Sequence, residues 1–499
     1  MFDLVVRGGT VVTETGTECA DVGISGGVIT AYGRRLGPGT REIDATGRLV
    51  LPGGIDAHCH VDQKSSSGLT TADDFFTAGM SAACGGTTTI IPFAAQHRGQ
   101  SLRTVVEAYH ERARSRAFVD YGFHLIVSDP TPVVLEEELP GLVADGCPSL
   151  KVYMTYDALK VTDRQMLAIL DAARRAGAIV MVHAENSDAV AWATERLLAQ
   201  GLTEPRYHPA SRPAAAEGEA TNRAIALAEL AGADVFIVHV SCREALAPIA
   251  AARARGARVW AETCPQYLLL TAADMDLPGF DMARFVCSPP LRSRDDQDAL
   301  WGALADAQLD LVASDHAPYR LRDPLGKMVH GEGGPFTKIP NGVPGLELRM
   351  PLVYSAGVRT GRITLAQFVA LTATNPARIH GLYPRKGTIA PGSDADLAIW
   401  DTGLERVVVQ TDLHDAMDDS PFEGRAVTGW PVTTIARGEV VWHEGQVAGE
   451  PGRGRFVART SRLASHPSAT QLAGRMDAIS RPGRTARPCP RATVTPPTT

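Results

Sequence analysis

Pro52-Gly53-Gly54-Ile55-Asp56-Ala57-His58-Cys59-His60 is the stretch on which the reading of this chain turns. The apolar run Leu49-Val50-Leu51 leads into it, and two histidines then stand at i and i+2. On a strand, side chains two apart point to one face. His58 and His60 are therefore placed to converge on one point at the end of a buried strand. Two imidazoles on a rigid strand make half of a site for zinc or a similar divalent ion. Taken alone, such a pair is more often solvated or hydrogen-bonded, so the rest of the chain has to decide.

After His60, short β-type runs alternate with helical stretches. Eight runs can be counted, at residues 55–60, 88–93, 122–127, 150–154, 179–183, 235–240, 259–263 and 311–316. Helical patterns fill gaps between them, as at 164–176, 220–231 and 243–255. Eight such repeats predict an α/β protein with a closed (β/α)8 barrel of the TIM type. An open doubly wound sheet fits less well, because polar residues gather at the C-terminal ends of many different strands.

The flanks read differently. Residues 1–52 are short strands punctuated by Gly8-Gly9 and Gly26-Gly27, the pattern of a small β-sandwich. Strands return after about residue 383. The expected organisation is a barrel over 53–382 inserted into a split β-sandwich, whose two parts are 1–52 and 383–460. Residues 461–499 are rich in Pro, Ser, Thr and Arg, and read as a tail that is largely disordered or docks on another subunit.

Composition narrows the function classes. A chain of 499 residues exceeds one small core, and 44% hydrophobic with 21% charged residues describes an ordinary globular protein. A net charge of −7 gives no reason to expect nucleic acid or an anionic membrane as partner. No apolar run reaches the length of a membrane span, and Met1-Phe2-Asp3-Leu4 lacks a basic n-region. The eight cysteines are scattered, as for reduced thiols in a cytoplasmic protein.

Ligand-type residues recur along the barrel runs. Lys151 lies in the fourth run, His183 ends the fifth, His239 lies in the sixth and Asp315 closes the eighth. Each has an ordinary reading: a satisfied core histidine, a helix cap, a lysine paired with Glu185. Together with His58 and His60 they put six ligand-type residues on five strands whose ends share one rim. Four imidazoles and a carboxylate around one mouth are costly without a metal, since buried polar groups need partners.

Further motifs follow in order: Thr71-Ala72-Asp73-Asp74-Phe75, Gly85-Gly86-Thr87-Thr88-Thr89, Lys151 with Tyr156, and His183-Ala184-Glu185-Asn186. Then come Glu262-Thr263-Cys264-Pro265-Gln266-Tyr267, Cys287-Ser288-Pro289-Pro290-Leu291-Arg292, Ser314-Asp315-His316 and Pro340-Asn341-Gly342-Val343-Pro344-Gly345. Over roughly residues 1–460 this pattern resembles the amidohydrolase superfamily, and closely its dihydropyrimidinase and hydantoinase branch. The resemblance implies that Lys151 is carboxylated on its amine and bridges two divalent ions, usually zinc. It implies that His58, His60 and Asp315 hold one ion and that His183 and His239 hold the other. Asp315 is then also the proton shuttle, and Tyr156 both contacts substrate and donates to the oxyanion. Backbone groups at Ser288 and Asn341 hold the ureide edge. The implied reaction opens the ring amide of a dihydropyrimidine or a 5-monosubstituted hydantoin to an N-carbamoyl amino acid. The implied assembly is a homotetramer.

Two other readings compete. An allantoinase or dihydroorotase is a cyclic amidase of the same superfamily. Dihydroorotases usually place an arginine two residues after the second histidine to grip the substrate carboxylate, where this chain has Asp62, which is expected to repel it. A scaffold protein that has lost its metals is a different class, and the filled ligand set speaks against it. The loop 62–68, Asp-Gln-Lys-Ser-Ser-Ser-Gly, is polar where relatives are apolar, and Ala317-Pro318-Tyr319 departs from the usual Cys-Pro-Phe or Cys-Ser-Phe. Both departures bear on the substituent, and a small or polar one is expected.

Overall fold

The computed structural model describes residues 1–65 and 68–461. Before the barrel come β1 (Phe2–Thr13), β2 (Gly16–Ser25), β3 (Val28–Gly33), β4 (Gly39–Asp44) and β5 (Leu49–Pro52). The barrel uses β6 (Gly54–Cys59), β7 (Thr87–Ala95), a short β8 (Asp120–Tyr121), β9 (His124–Ile126), β10 (Ser149–Tyr153), β11 (Ile179–His183), β12 (Val235–Ile237), β13 (Val259–Thr263) and β14 (Leu311–Val312). After it come β15 (Leu397–Val407), β16 (Ala426–Ala436), β17 (Glu439–His443) and β18 (Gln446–Val447).

The barrel strands pair in parallel in the order β6, β7, β9, β10, β11, β12, β13, β14, with β8 on the side of β7. All eight predicted runs contribute a strand. Closure takes place just past the short β14. Asp315 N donates to His58 O at 2.9 Å, and His60 N donates to His316 O at 2.7 Å. The residues that complete the cylinder thus include the candidate ligands His58, His60 and Asp315.

The helices follow from their sequences. Asp163–Ala176 starts at Thr162, which forms a capping box with Gln165, and stops at left-handed Gly177. Its buried face is Met166, Ile169, Leu170, Ala172 and Ala173. Ala214–Ala231 begins earlier than the predicted 220–231 and ends at left-handed Gly232. A helix at Leu365–Val369 runs on into a π-type turn at Ala370–Thr374.

The second sheet runs β18-β17-β16-β15-β5-β1-β2-β3, with β4 added to β1. Its seam is the antiparallel pair β5 and β15, which places Val50 opposite Ile399 and so joins the two ends of the chain. Leu4, Val6, Val22, Ile29, Val50, Leu397, Ile399 and Ile435 form its separate core. Gly53 and Gly54 make the passage from this sheet into the barrel. A Cβ on Gly53 would lie 2.3 Å from Thr88 Oγ1, and one on Gly54 would lie 2.3 Å from Met350 Sδ. No other residue fits either position without displacing its neighbour.

Residues 453–460 leave the second sheet and lie along the barrel. Arg455 N donates to Asp120 Oδ1 at 3.0 Å, Val457 N donates to Tyr121 O at 2.7 Å, and Val457 is fully buried. Of the expected tail only Ser461 lies within the described residues. Six cysteines, at 59, 84, 147, 242, 264 and 287, are free and buried. No helix among the described residues is long and apolar enough to cross a membrane.

Candidate metal centre and substrate cavity

The six candidate ligands meet at one end of the barrel. Asp315 Oδ1 lies 3.0 Å from His58 Nε2 and 3.2 Å from His60 Nε2. Ligand atoms of these three residues all lie within 4.8 Å of one another. The His183 and His239 rings are 4.5 Å apart between centroids, and His239 is 5.5 Å from His58. Lys151 Nζ sits between the rings of Phe93 and Tyr153, at 5.2 and 5.3 Å from their centroids. The barrel thus brings together residues from five strands.

Each of three imidazoles is held from behind. His58 Nδ1 donates to Glu262, His60 Nδ1 to Gln63 Oε1 at 2.8 Å, and His183 Nε2 to Glu185 Oε2 at 2.7 Å. Such bonds fix the ring and leave its other nitrogen as the ligand. Glu185 also accepts from Arg212 Nη1 at 2.6 Å, and the Arg212 guanidinium lies 5.2 Å from the Tyr156 ring centroid. These partners escaped the sequence reading. Glu262 and Glu185 stood inside quoted motifs but were not read as partners of the histidines, and Arg212 gave no local signal at all. A carboxylate within the apolar run of β13 was the one available hint for Glu262. Glu185 was also the candidate partner for Lys151; it binds His183 and Arg212 instead.

The electrostatics favour a bound cation. Burial holds His60, His183 and His239 below the usual imidazole pKa, so their lone pairs are free. Burial would lower His58 too, but Glu262 and Asp315 outweigh it and raise it. Burial would raise the Asp315 carboxyl, yet the imidazoles of His58, His60 and His239 keep it well below its usual range. Burial brings the Lys151 ammonium down to about 8. Lys151 is 1% exposed and has no ion-pair partner among the described residues. His239 Nδ1 is buried without a hydrogen-bond partner. A nitrogen- and oxygen-rich donor set with orphaned groups in a shared mouth fits divalent ions.

A cavity of about 260 Å3 opens above these groups. Tyr156, Ser288 and Asn341 line it together. Asn341 Nδ2 donates to Ser288 Oγ at 2.9 Å and stands 3.5 Å from Tyr156 Oη. Burial raises the Tyr156 phenol above its ordinary value. Tyr156, His239 and Asp315 all have positive φ, at 69°, 40° and 49°. Left-handed backbone at non-glycine residues costs of order 1–3 kcal/mol each and gathers at functional sites.

The polar loop is only partly at the cavity. Lys64 and Ser65 line it, as does Tyr319, whereas Ser66 and Ser67 fall outside the described residues. Asp62 is not part of the lining. It faces Arg112, which donates from Nη1 to the Asp62 carbonyl at 2.5 Å and lies 4.0 Å from its carboxylate. The expectation that Asp62 repels an anionic substrate therefore loses its basis. The cause is the turn at Asp62 itself, where φ is 47°.

Residues 49–441 match the amidohydrolase family. A D-hydantoinase of Ralstonia pickettii is 47% identical over 461 residues, covering 92% of this chain and 99% of the relative. A solved D-hydantoinase structure superposes with a TM-score of 0.90 at 46% identity, covering 92% of this chain and 100% of that one. The crystal structure of a dihydropyrimidinase from Brevibacillus agri NCHU1002 gives a TM-score of 0.90 at 45% identity, covering 93% and 99%.

Proposed function

The chain belongs to the amidohydrolase family, in its hydantoinase and dihydropyrimidinase branch, and hydrolyses cyclic amides of those classes. From that premise we propose that the barrel mouth holds two divalent ions, assigned as zinc. His58, His60 and Asp315 would bind one ion and His183 and His239 the other. Lys151, carboxylated on Nζ by CO2, would bridge them. The observation that carries this reading is the convergence of six donor residues from five strands around a lysine without an anionic partner. A bound ion pair supplies Lewis acidity at the scissile carbonyl and acidifies water.

The chain's own groups supply the rest. Asp315 holds the proton released from water and delivers it to the leaving ring nitrogen. The Tyr156 hydroxyl donates to the oxygen on which negative charge develops. Segments at Ser288 and Asn341 receive the neutral –NH–CO–NH– edge. The ring C–N bond breaks, water adds across it, and the product is an N-carbamoyl amino acid. Lys64 and Ser65 give the substituent a polar wall, so small or polar substituents are favoured over benzyl or indolylmethyl.

The same reading makes the protein a cytoplasmic homotetramer, with residues 475–499 dispensable for turnover. Light scattering at the monomer mass would refute the assembly. The function is tested by kcat/KM for dihydrouracil, hydantoin, 5-benzylhydantoin, allantoin and dihydroorotate, with metal analysis of the purified protein. Two equivalents of divalent ion and turnover of dihydrouracil or hydantoin are expected. Dominant dihydroorotate turnover would overturn the substrate reading, and a strong preference for 5-benzylhydantoin would overturn the reading of the polar wall.

A further inference from the structure

Ser288 and Asn341 reach the cavity on two segments that are distant in sequence. Three contacts tie those segments to each other. Asn341 Nδ2 donates to Ser288 Oγ at 2.9 Å, and Gly342 N donates to Val286 O at 3.0 Å. The third tie is a buried ammonium. Lys327 Nζ donates to Val286 O at 2.8 Å and to Pro340 O at 3.2 Å.

Lys327 is 2% exposed, and no carboxylate stands within ion-pair distance of it among the described residues. Its own N–H donates to Arg320 O at 2.8 Å, which fixes the stem. His208 Nε2 donates to Cys287 O at 2.8 Å and braces the first segment from another side. A buried ammonium without an anionic partner is an expensive way to fill space. Methionine would serve better if packing were the only requirement.

We propose that Lys327 is a positioning residue for ureide binding, clamping the Val286 and Pro340 carbonyls so that the peptide groups at Ser288 and Asn341 are presented to the substrate as a preformed pair. The inference rests on the role proposed above for those two segments. In a trans peptide the N–H points opposite to the C=O. Holding the Pro340 carbonyl on Lys327 therefore aims the Asn341 N–H away from Lys327. Pro340, Asn341 and Gly342 all line the cavity, so this peptide orientation bears directly on what the cavity offers. Preorganised donors bind without an ordering cost, and loosened ones do not. Burial pulls Lys327 down to about 7, but a neutral amine keeps two N–H donors, enough for both carbonyls.

The test is steady-state kinetics of Lys327→Met on the ureides that the wild-type enzyme opens, with bound metal measured in parallel. The expected result is a KM raised by roughly tenfold or more, with kcat changed by less than about threefold and metal content unchanged. Lys327→Gln, which keeps a shorter donor, should fall between, and it carries the test if the methionine variant does not fold. A KM within about twofold of wild type in the folded variant overturns the proposal. So does a loss of metal, or a fall in kcat at unchanged KM, since either marks a merely structural lysine. Failure of the wild-type enzyme to open any cyclic ureide is a separate result, which refutes the proposed function before any variant is made.

Discussion

Replacing Tyr156 with phenylalanine separates chemistry from packing at one atom. The ring keeps its neighbours: the Tyr153 centroid at 6.0 Å, the His183 centroid at 5.4 Å and the Arg212 guanidinium at 5.2 Å. What is lost is a hydroxyl whose approach to Asn341 Nδ2, at 3.5 Å, is at the edge of hydrogen-bond range. In the resting enzyme that contact contributes at most ~1 kcal/mol, so stability should barely move. On the role proposed for it, the same hydroxyl faces developing negative charge in the transition state. Losing one such donor lowers kcat by ~10²–10³, or about 2.7–4 kcal/mol. Because burial raises the Tyr156 pKa, the phenol remains a donor through neutral and mildly alkaline pH, and the deficit should be the same from about pH 7 to 9. The assay is kcat and KM for hydantoin and dihydrouracil, with metal content and thermal midpoint measured on the same samples. A kcat within roughly threefold of wild type, with metal retained, would show that Tyr156 is only a wall of the cavity.

Lys151→Ala should lose both metal and activity, with partial recovery when acetate or propionate is added, and full activity without additive would exclude the bridging role. Asp315→Asn should cut turnover by ~10²–10⁴, read as kcat at saturating substrate, if Asp315 is the proton shuttle proposed above; near-normal turnover would assign the shuttle elsewhere. Lys386→Met should destabilise the fold by ~3 kcal/mol, because it removes the one cation shared by Asp120, Asp394 and Asp396, leaving Asp120 only Arg437, Asp394 only Arg385, and Asp396 no ion-pair partner among the described residues. Burial opposes the charge on Lys386, but Asp396 and Asp120 outweigh it and raise its pKa. A raised lysine stabilises fully below its unfolded value of about 10.4, and the benefit fades only as pH rises through the folded value. The gap between wild-type and variant urea midpoints should therefore stay constant from pH 6 to 9; equal midpoints would refute the cluster's role.

Much of this protein was legible in one dimension. Strands buried on both faces appear as short apolar runs, and eight of them in alternation with helices left little choice of fold. His58 and His60 could be paired because strand geometry relates i to i+2 without reference to anything distant. Lys151, His183, His239 and Asp315 could be assigned to one rim because a barrel places every strand's C-terminal end there. Caps such as Thr162 with Gln165 are local, and so is the stop at Gly177.

Tertiary structure decided what depends on partners far apart in sequence. Glu262 lies 204 residues from His58, and Lys327 lies 41 residues from the Val286 carbonyl it binds. No local pattern specifies either contact, because side-chain hydrogen bonds carry no periodicity. Asp62 shows the converse. Its sequence position next to the histidine pair suggested a charge in the cavity, and one residue of left-handed backbone turns it toward Arg112 instead. The barrel's closure likewise belongs to the folded chain, since the main-chain groups of residues 58–60 find those of 315 and 316 only when all the strands between them are in place.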